Sequence, residues 1–363
     1  MENENRFCTM CHCVLEDGEG YDIDGDLLCD DCAEEHTVSC DHCGETIWRN
    51  DAVCDDSTTL CQCCYDEHYR RCENCGRIIH DDDALWYHDE PYCSSCYDRI
   101  EVDIEEYSYK PDPIFYGEGT RFFGVELEVD CGGKDDENAG RIKGEANCRC
   151  ERIYIKSDGS LDDGFEIVSH PMSLIYHFNE MPWEDVLSEA VRLGYRSHQT
   201  STCGLHVHVN RDAFGENHDE QEKVIEKILF FVELHWAELF IFSRRSEYTM
   251  SRWAARYGYE KTGKQILDKA KKNGAGRYAA VNLCPYSTIE FRLFRGTLKL
   301  NTLYATLQLV NKICDVAMTM TEAEIENQSW SDFVQTVTEP ELIQYLRERR
   351  LYVNDEVETE EDV

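Results

Sequence analysis

The stretch FGVELEVD, residues 123–130, alternates apolar and polar side chains along its whole length. Val125 and Leu127 stand at apolar positions, and Glu126 and Glu128 stand at polar ones. Because successive side chains of a β-strand point to opposite faces, this period predicts a strand with one face in a core. Both glutamates are then expected together on the other face.

Three further segments show the same alternation, with chemically active side chains at the polar positions. These positions hold Glu166 in 164–169, His206 and His208 in 204–210, and Glu290 and Arg292 in 288–295. In a single strand, such residues are typical of a solvated sheet face. If the four strands share a sheet, the carboxylates and imidazoles converge and predict a divalent metal site. The guanidinium beside them suits a phosphate or a carboxylate.

Helical patterns surround these strands. Helices are predicted from Pro182, from Asp219, which forms a capping-box pattern with Glu222, and over 300–318. Residues 131–150 are rich in glycine and charge and are predicted to form a mobile loop. This part of the chain is therefore predicted to be an α+β domain in which helices pack on one face of an antiparallel sheet.

Five segments, in their order along the chain, resemble the motifs of a known family. They are FGVELEVD at 123–130, SDGSLDDGFEIVSHP at 157–171, CGLHVHVN at 203–210, RYAAVNL at 277–283 and TIEFRLFRGTL at 288–298. Together they are similar to the amidoligase family, which belongs to the glutamine synthetase and glutamate–cysteine ligase superfamily. His206-x-His208 resembles the GMHxH strand of glutamine synthetase, and Glu290-x-Arg292 resembles its E-x-R strand. The resemblance covers roughly 121–300, about half of the chain.

The resemblance implies a glutamine synthetase-like sheet and an ATP-dependent reaction. A carboxylate would attack the γ-phosphate of ATP to give an acyl phosphate, and an amine would then displace phosphate to form an amide. The family pattern implies that Mg²⁺ or Mn²⁺ is held by Glu126, Glu128, Glu166, His206 and Glu290. The ions are needed because the crowded charge of the phosphates must be neutralised before an anion can attack.

The resemblance also implies roles for other residues of the site. Arg292 would stabilise the transferring phosphoryl group, and His208 would lie beside the metal ions. Asp158 would grip or deprotonate the amine, although an aspartate before Gly159 is also typical of a simple turn.

Three further assignments concern the nucleotide and its phosphates. Tyr278 and Asn282 are expected to contact the nucleotide. Arg295 would join Arg292 at the phosphates, but in a regular strand it points to the opposite face, so it reaches the site only if the strand bulges before Gly296.

The N-terminal part of the chain departs from glutamine synthetase, in which an N-terminal domain completes the active site of a neighbouring subunit in a ring. Ring assembly is therefore not expected here.

The first hundred residues contain a cysteine pattern that repeats every 32 residues and reads C-x2-C-x17-C-x2-C. The repeated cysteines are Cys8, Cys11, Cys29 and Cys32, then Cys40, Cys43, Cys61 and Cys64, then Cys72, Cys75, Cys93 and Cys96. Two residues between thiolates let one turn present both sulfurs to a tetrahedral zinc ion, and a second turn supplies the other two. Three structural zinc sites are therefore predicted, with no open position for a substrate.

Other interpretations of these cysteines have less support. Redox-active C-x-x-C pairs would need a thioredoxin-like βαβ context, which three in-register quartets lack. Cys13, Cys54 and Cys63 lie outside the register and are interpreted as bystanders, although Cys63 could compete with its neighbours. The repeats resemble LIM-like or treble-clef zinc modules. Each is too small to fold on an apolar core alone, so zinc would supply much of the folding free energy, on the order of 10–16 kcal/mol per site.

The charge of the chain limits its partners. It has 36 Lys and Arg against 74 Asp and Glu, a formal net charge of −38, which argues against nucleic acid and anionic membranes. The first hundred residues hold 6 basic and 26 acidic residues, so a protein partner is expected for the zinc modules.

The first residues lack an apolar signal segment, and no apolar run is long enough to span a membrane. We expect reduced thiols and a cytoplasmic location, and the family resemblance implies a prokaryotic or phage-infected cell.

These patterns predict four regions and one leading function. Residues 1–100 hold the zinc modules at 8–32, 40–64 and 72–96, 101–120 form a linker, 121–350 form the catalytic domain, and 351–363 form an acidic tail. The predicted function is an ATP-dependent carboxylate–amine ligase, with a peptide or protein docked by the zinc modules as a candidate substrate. Two alternatives are a metal-dependent amide or phosphoester hydrolase, and a protein-binding adaptor whose ligase domain is degenerate.

Overall fold

The computed structural model describes residues 6–16, 18–87, 89–97, 99, 102–272 and 276–352. The chain divides into two compact units, Met1–Glu101 and Val102–Val363. Nearly all of the predicted acidic tail, from residue 353 onward, lies outside the described residues. Among the described residues, no helix is both long enough and apolar enough to cross a membrane.

The first unit repeats one arrangement over its described residues: a hairpin that carries one cysteine pair, a second hairpin, and a short helix that carries the other pair. The strands are β1 (Arg6–Phe7), β2 (Val14–Leu15), β3 (Tyr21–Ile23), β4 (Asp26–Leu28), β5 (Thr37–Ser39), β6 (Thr46–Trp48), β7 (Val53–Cys54), β8 (Thr59–Leu60), β9 (Tyr69–Arg71), β10 (Ile78–His80), β11 (Leu85–Tyr87) and β12 (Glu90–Tyr92). The helices are α1 (Asp30–His36), α2 (Gln62–His68) and α3 (Ser94–Tyr97). The strands form antiparallel pairs in sequence order, from β1 with β2 to β11 with β12.

Each repeat has a small core that consists largely of its own cysteines. In the first repeat, Leu15, Ile23 and Leu28 pack around Cys8 and Cys32. Apolar burial on this scale does not stabilise a unit of about 32 residues by itself. We therefore expect metal binding at the cysteines to supply the missing stability.

The second unit is built on a sheet that has seven strands within the described residues. The strands are β13 (Ile104–Glu105), β14 (Phe123–Val129), β15 (Ile153–Lys156), β16 (Phe165–Ser169), β17 (Gly204–Asn210), β18 (Val281–Asn282) and β19 (Thr288–Arg295). Their order across the sheet is β13-β15-β16-β14-β17-β19-β18, and each pair is antiparallel except β13 with β15. The stretch FGVELEVD thus forms the central strand, β14, and its alternation decides which face of the sheet is buried.

The helices of the second unit contribute side chains to one apolar core with this sheet. They are α4 (Asp136–Asn147), α5 (Leu174–Asn179), α6 (Trp183–Arg192), α7 (His218–Leu234), α8 (Trp236–Ser243), α9 (Glu247–Trp253), α10 (Gly263–Lys272), α11 (Leu300–Thr319), α12 (Glu322–Asn327), α13 (Trp330–Gln335) and α14 (Pro340–Glu348). Val125 and Leu127 of β14 lie fully buried in one apolar cluster with Trp183, Phe230 and Leu303 from α6, α7 and α11. The predicted α+β class is confirmed.

The prediction of a mobile loop over 131–150 is wrong, because the centre of this segment is helix α4. Ala139, Ile142 and Ala146 are fully buried at helical spacing. The Asp135 carboxylate caps the helix by accepting a hydrogen bond of 2.8 Å from a first-turn amide. Glycines and charged residues outnumber the three buried side chains, so composition conceals the helix.

Two other boundaries differ from the sequence-based expectations. Helix α7 begins at His218, because the side chain of Asn217, rather than that of Asp219, accepts a hydrogen bond from the Glu220 amide (3.0 Å). Within 101–120, β13 pairs with β15 and adds an edge strand to the sheet. This segment is therefore part of the second unit's architecture as well as a connection.

Candidate active site and metal centres

The cysteines of each predicted quartet come together in the described part of the first unit. The groups are Cys8, Cys11, Cys29 and Cys32, then Cys40, Cys43, Cys61 and Cys64, then Cys72, Cys75, Cys93 and Cys96, and within each group the sulfurs lie within 4.8 Å of one another. A tetrahedral zinc ion with Zn–S bonds of about 2.3 Å holds its sulfurs about 3.8 Å apart. The Sγ–Sγ distances include Cys11–Cys29 at 3.6 Å, Cys43–Cys61 at 4.0 Å and Cys75–Cys93 at 3.9 Å. The clusters are compatible with zinc binding.

The backbone of each first cysteine pair forms a tight turn that favours thiolates. The amide after the second cysteine donates to the carbonyl of the first: His12 to Cys8 (2.9 Å), Gly44 to Cys40 (2.8 Å) and Gly76 to Cys72 (2.8 Å). The donor residues have φ of 60°, 76° and 70°, a region that glycine adopts without strain. At the first quartet, the Cys11 amide is the main reason that the pKa of Cys8 is lowered to about 6.

Three cysteines of the first unit lie outside the quartets. Cys54 and Cys63 are exposed. Cys13 is exposed as well, but a hydrogen bond with the Cys11 thiol, followed by burial, raises its pKa to about 12. Cys13 therefore lies beside the first quartet, unlike the other two.

The register of the sheet brings the carboxylates and imidazoles of the second unit together. The cross-strand partners are Glu126 with His206, Glu128 with Glu166, and His208 with Glu290. Residues directly opposite each other on neighbouring strands share a face, so these pairs lie side by side. Strands β16, β14, β17 and β19 thus each contribute to one polar surface.

Glu126, His206 and Glu290 form one candidate metal cluster, with ligand atoms within 4.8 Å of one another. His206 Nδ1 lies 3.4 Å from Glu126 Oε2 and 3.5 Å from Glu290 Oε1. His208 Nε2 lies 3.1 Å from Glu126 Oε1. Burial would raise the pKa of Glu126, but His208 and His206 outweigh it and hold that pKa well below its usual value.

Glu128, Glu166 and His206 form a second candidate cluster that shares the imidazole of the first. His206 Nε2 lies 3.9 Å from Glu128 Oε1. A neutral imidazole offers a lone pair from one nitrogen and a proton from the other, so it can ligate at one cluster and orient a carboxylate of the other. Burial, and then the charge of Glu126, raise the pKa of Glu166 well above its usual value. Such concentrated negative charge, with oxygen and imidazole donors, fits Mg²⁺ or Mn²⁺.

Neighbouring groups hold these carboxylates in place. Lys156 Nζ lies 3.1 Å from Glu166 Oε2. Asn282 Nδ2 donates to Glu290 Oε2 (2.7 Å), and the Gly204 amide donates to Glu128. Fixed carboxylates of this kind are preorganised for cation binding.

The clusters lie in a cavity of about 920 Å³. This volume is within the range of small-ligand sites, about 300–1,000 Å³. Its lining includes an aromatic and basic group, in which the rings of Trp253 and Tyr278 meet edge to face with centroids 5.3 Å apart. The Arg277 guanidinium lies 5.8 Å from the ring centroid of Tyr107 and 5.0 Å from that of Tyr278. An acidic patch and a basic, aromatic patch therefore share one cavity.

Most residues assigned to the site from the sequence line this cavity. They are Glu126, Glu128, Asp158, Glu166, His206, His208, Tyr278, Asn282, Glu290 and Arg292. Asp158 also accepts a hydrogen bond of 2.6 Å from the Ser160 amide, so it shapes a turn as well as lining the cavity. The amide of Asn282 is engaged by Glu290, which gives this residue a positioning role.

Arg295 lies in a neighbouring pocket rather than in the cavity. The register of β17 and β19 shifts so that Leu205 pairs with Phe294 and Val207 with Phe291, which leaves an extra residue on β19. This β-bulge reverses the direction of the side chains that follow it. Arg295 therefore lines a pocket of about 240 Å³ beside the cavity.

Several lining residues were missed by the sequence-based prediction, among them Lys110, Lys134, Lys156, Arg245, Trp253 and Arg277. Two of them contact other groups of the site or of the smaller pocket. Arg245 lines both the cavity and the smaller pocket, and Lys156 pairs with Glu166. The pair Arg244–Arg245 in an acidic chain is a weak signal for Arg245. In the short strand β15, Tyr154 and Lys156 alternate with Ile153 and Ile155, and this alternation is the signal for Lys156.

The fold and the site define an α+β protein with three cysteine clusters compatible with zinc binding and two carboxylate–histidine clusters that could hold metal ions. No family model matches the chain, and no curated protein matches it. Among solved structures, a bifunctional glutathione synthetase from Pasteurella multocida is similar, with 14% identity and a TM-score of 0.33 over 63% of this chain and 46% of that chain. The chain spans about half the length of that structure. At this level, the similarity establishes neither a family nor a reaction.

Proposed function

We propose that the second unit is an ATP-dependent carboxylate–amine ligase that acts through an acyl phosphate. One observation carries the proposal: two carboxylate clusters share His206 inside a cavity that is also lined by Lys110, Lys134, Arg277 and Arg292. Clustered carboxylates bind divalent cations, and clustered lysines and arginines bind phosphates. A nucleoside triphosphate with its metal ions satisfies both sets of charges.

The proposed reaction has two steps. An oxygen of the substrate carboxylate attacks the γ-phosphorus of ATP, and the bond from that phosphorus to ADP breaks. The amine nitrogen then attacks the acyl carbon, the bond from carbon to the phosphate oxygen breaks, and the amine loses a proton. Mg²⁺ or Mn²⁺ at the two clusters would neutralise the phosphate charge that otherwise repels the attacking carboxylate.

Arg292 is suited to stabilise the transferring phosphoryl group. One of its terminal nitrogens donates to Glu290, and its buried Nε has no hydrogen-bond partner among the described residues. A preorganised donor of this kind gains most from charge that develops in the transition state. Its proximity to Glu290 also places it beside the first metal cluster.

The other side chains have supporting roles in the proposal. Tyr278, with Trp253 and Arg277, offers a surface on which a nucleobase can stack. Asp158 has one carboxylate oxygen engaged by the Ser160 amide, and we assign the other oxygen to the proton of the amine. His208 keeps Glu126 ionised and oriented.

Membership of the glutamine synthetase-like amidoligases is part of the same proposal. It is supported by the order of the sequence motifs and by the antiparallel adjacency of β16, β14, β17 and β19. The zinc modules are proposed to dock a peptide or protein substrate. Their excess of acidic residues, 26 against 6 basic ones, favours a basic segment in that partner.

Metal-dependent hydrolysis is a second candidate, because paired metal clusters also activate water. The basic and aromatic lining favours the ligase, since hydrolysis of an amide requires no polyphosphate site. ATP binding separates the two. An adaptor without activity would bind neither ATP nor divalent ions at these clusters.

The test is Mg²⁺–ATP binding to the full chain, measured by calorimetry and by thermal unfolding. A ligand at about 100 times its Kd stabilises the native state by about 2.7 kcal/mol. Wild type is expected to bind, and Glu128→Gln to lose most of that stabilisation. The exposed helical Glu145→Gln, at a site outside the cavity, is the matched control. Absence of ATP binding with both Mg²⁺ and Mn²⁺ contradicts the proposal.

A further inference from the structure

A second pocket, of about 240 Å³, lies beside the metal cavity. Its lining includes Arg245 and Arg295 and the hydroxyl-bearing residues Thr200, Ser201, Ser246 and Thr249. Within the described residues, no aspartate or glutamate lines it. In a chain with a net charge of −38, a pocket lined by cations and hydroxyls is an exception that calls for a ligand.

Arg245 is the buried donor at the centre of this pocket. It is only 7% exposed, and its buried Nε has no hydrogen-bond partner in the described part of the chain. Its Nη2 donates to the Arg292 carbonyl (3.3 Å). Burial lowers its pKa to about 10, Glu128 opposes this, and the charges of Arg292 and Arg295 lower it further. A buried guanidinium with an unused donor is costly unless a ligand completes its hydrogen bonds.

Other basic residues lie near Arg295. Burial lowers the pKa of His198, and Arg244, Arg295 and Lys299 lower it further. Arg295 donates to the Thr200 carbonyl (3.1 Å), which holds its guanidinium at the pocket wall. Basic residues are therefore concentrated near Arg295, although the chain as a whole is acidic.

The backbone is shaped to bring Arg245 to this position. Arg244 ends α8 in the left-handed conformation, with φ of 63°, which turns the chain into the pocket. Gly204 lets the guanidinium lie against β17, because a Cβ there would be 2.5 Å from Arg245 Nη2 and 2.7 Å from His206 Nε2. Arg245 thus reaches from the pocket to the edge of the second metal cluster.

We propose that this pocket binds an oxyanion, a carboxylate or phosphate group, between Arg245 and Arg295. Guanidinium groups bind such anions through paired hydrogen bonds. The volume suits a single anionic group and is below the range of whole drug-sized ligands, about 300–1,000 Å³. The existence of the anion site does not depend on the proposed function. The assignment of the anion to a substrate of the ligase rests on that proposed function.

The test uses the zinc-loaded full chain without ATP and without added Mg²⁺ or Mn²⁺. Inorganic phosphate, acetate and the neutral analogue acetamide are titrated by calorimetry. One saturable site is expected for an anion and none for acetamide. Preference for acetate assigns the pocket to a substrate carboxylate, and preference for phosphate assigns it to a phosphoryl group.

Variants locate the site. Arg295→Gln is expected to weaken anion binding about tenfold or more. Arg292→Gln removes a cation from the neighbouring cavity and is expected to change the anion affinity by less than about threefold. No saturable anion binding, or equal losses in the two variants, overturns the inference.

A parallel Mg²⁺–ATP titration separates this inference from the proposed function. Anion binding that depends on Arg295, without any ATP binding, upholds the pocket and contradicts the ligase. ATP binding that depends on Glu128, without an anion site, upholds the ligase and overturns the pocket.

Discussion

Glu128 and Glu166 lie directly opposite each other on β14 and β16, and both carboxylates are buried on the same face of the sheet. Two buried carboxylates in such proximity repel each other unless a cation or a proton lies between them. Lys156 offsets part of this charge from one side. The remaining charge, together with the shared imidazole of His206, is the basis for expecting metal ions in this unit.

Manganese titration tests that expectation. The zinc-loaded chain should bind two Mn²⁺ ions in the second unit, while Glu126→Gln and Glu128→Gln should each lose one of them. His206→Ala should weaken both, since its ring contacts both clusters. The control Glu145→Gln should retain both ions, and a wild-type chain that binds none would refute the assignment.

Zinc content tests the cysteine quartets. Cys40 is buried within the second quartet, so Cys40→Ser should reduce the zinc content from three ions per chain to two and expose that repeat to proteolysis. Cys54→Ser is the matched control, because Cys54 is exposed and outside the quartets. Equal zinc loss in the two variants would show that the quartets are not the binding sites.

His177 gives the second unit an acid-sensitive contribution to stability. Its ring lies between the Phe123 carbonyl (3.0 Å from Nε2) and the Trp183 indole, which donates to Nδ1 (3.2 Å). Nε2 therefore carries the proton in the neutral ring. Burial lowers the pKa of His177 to about 4, against 6.5 for the unperturbed group.

The sign of the effect follows from proton binding. Between pH 6.5 and 4 the unfolded state binds a proton that the folded state does not, so stability is complete above pH 6.5 and falls as the pH drops. Between pH 6.5 and 4, this residue is expected to lower the free energy of unfolding by about 3 kcal/mol. In denaturant unfolding at a series of pH values, the free energy of unfolding of His177→Gln should fall less steeply with decreasing pH than that of wild type. The variant His218→Gln, at an exposed position, should keep the wild-type slope. Identical slopes in all three proteins would be the contrary result.

Two glycines should respond in opposite directions to alanine. Gly204→Ala places a Cβ 2.5 Å from Arg245 Nη2 and 2.7 Å from His206 Nε2, so it should destabilise the fold and lower metal affinity about tenfold. Gly144 is an exposed position in α4 with no atom within 4 Å of an added Cβ. Gly144→Ala should stabilise by about 0.5–1 kcal/mol without affecting metal binding. Thermal unfolding and Mn²⁺ titration distinguish the outcomes.

Strands were easier to predict than helices in this chain, for a physical reason. Strands β14 and β17, and β19 as far as Leu293, alternate apolar and polar residues, because one face is buried and the other lines a polar cavity. Helix α4 buries only three small or medium side chains, so its period is weak beside its charged residues. Its position depends on contacts with β15 and α6 rather than on its own composition.

The sequence by itself determined the cysteine quartets and the polar faces of the main strands. Both follow from local geometry, since two residues span a metal-binding turn and a strand alternates its side chains. Only the tertiary structure decided which carboxylates meet, that His206 contacts two clusters, and that Arg245 and Arg295 share a pocket. Those relationships depend on strand register, on the bulge in β19 and on the turn at Arg244, where residues distant in sequence pack together.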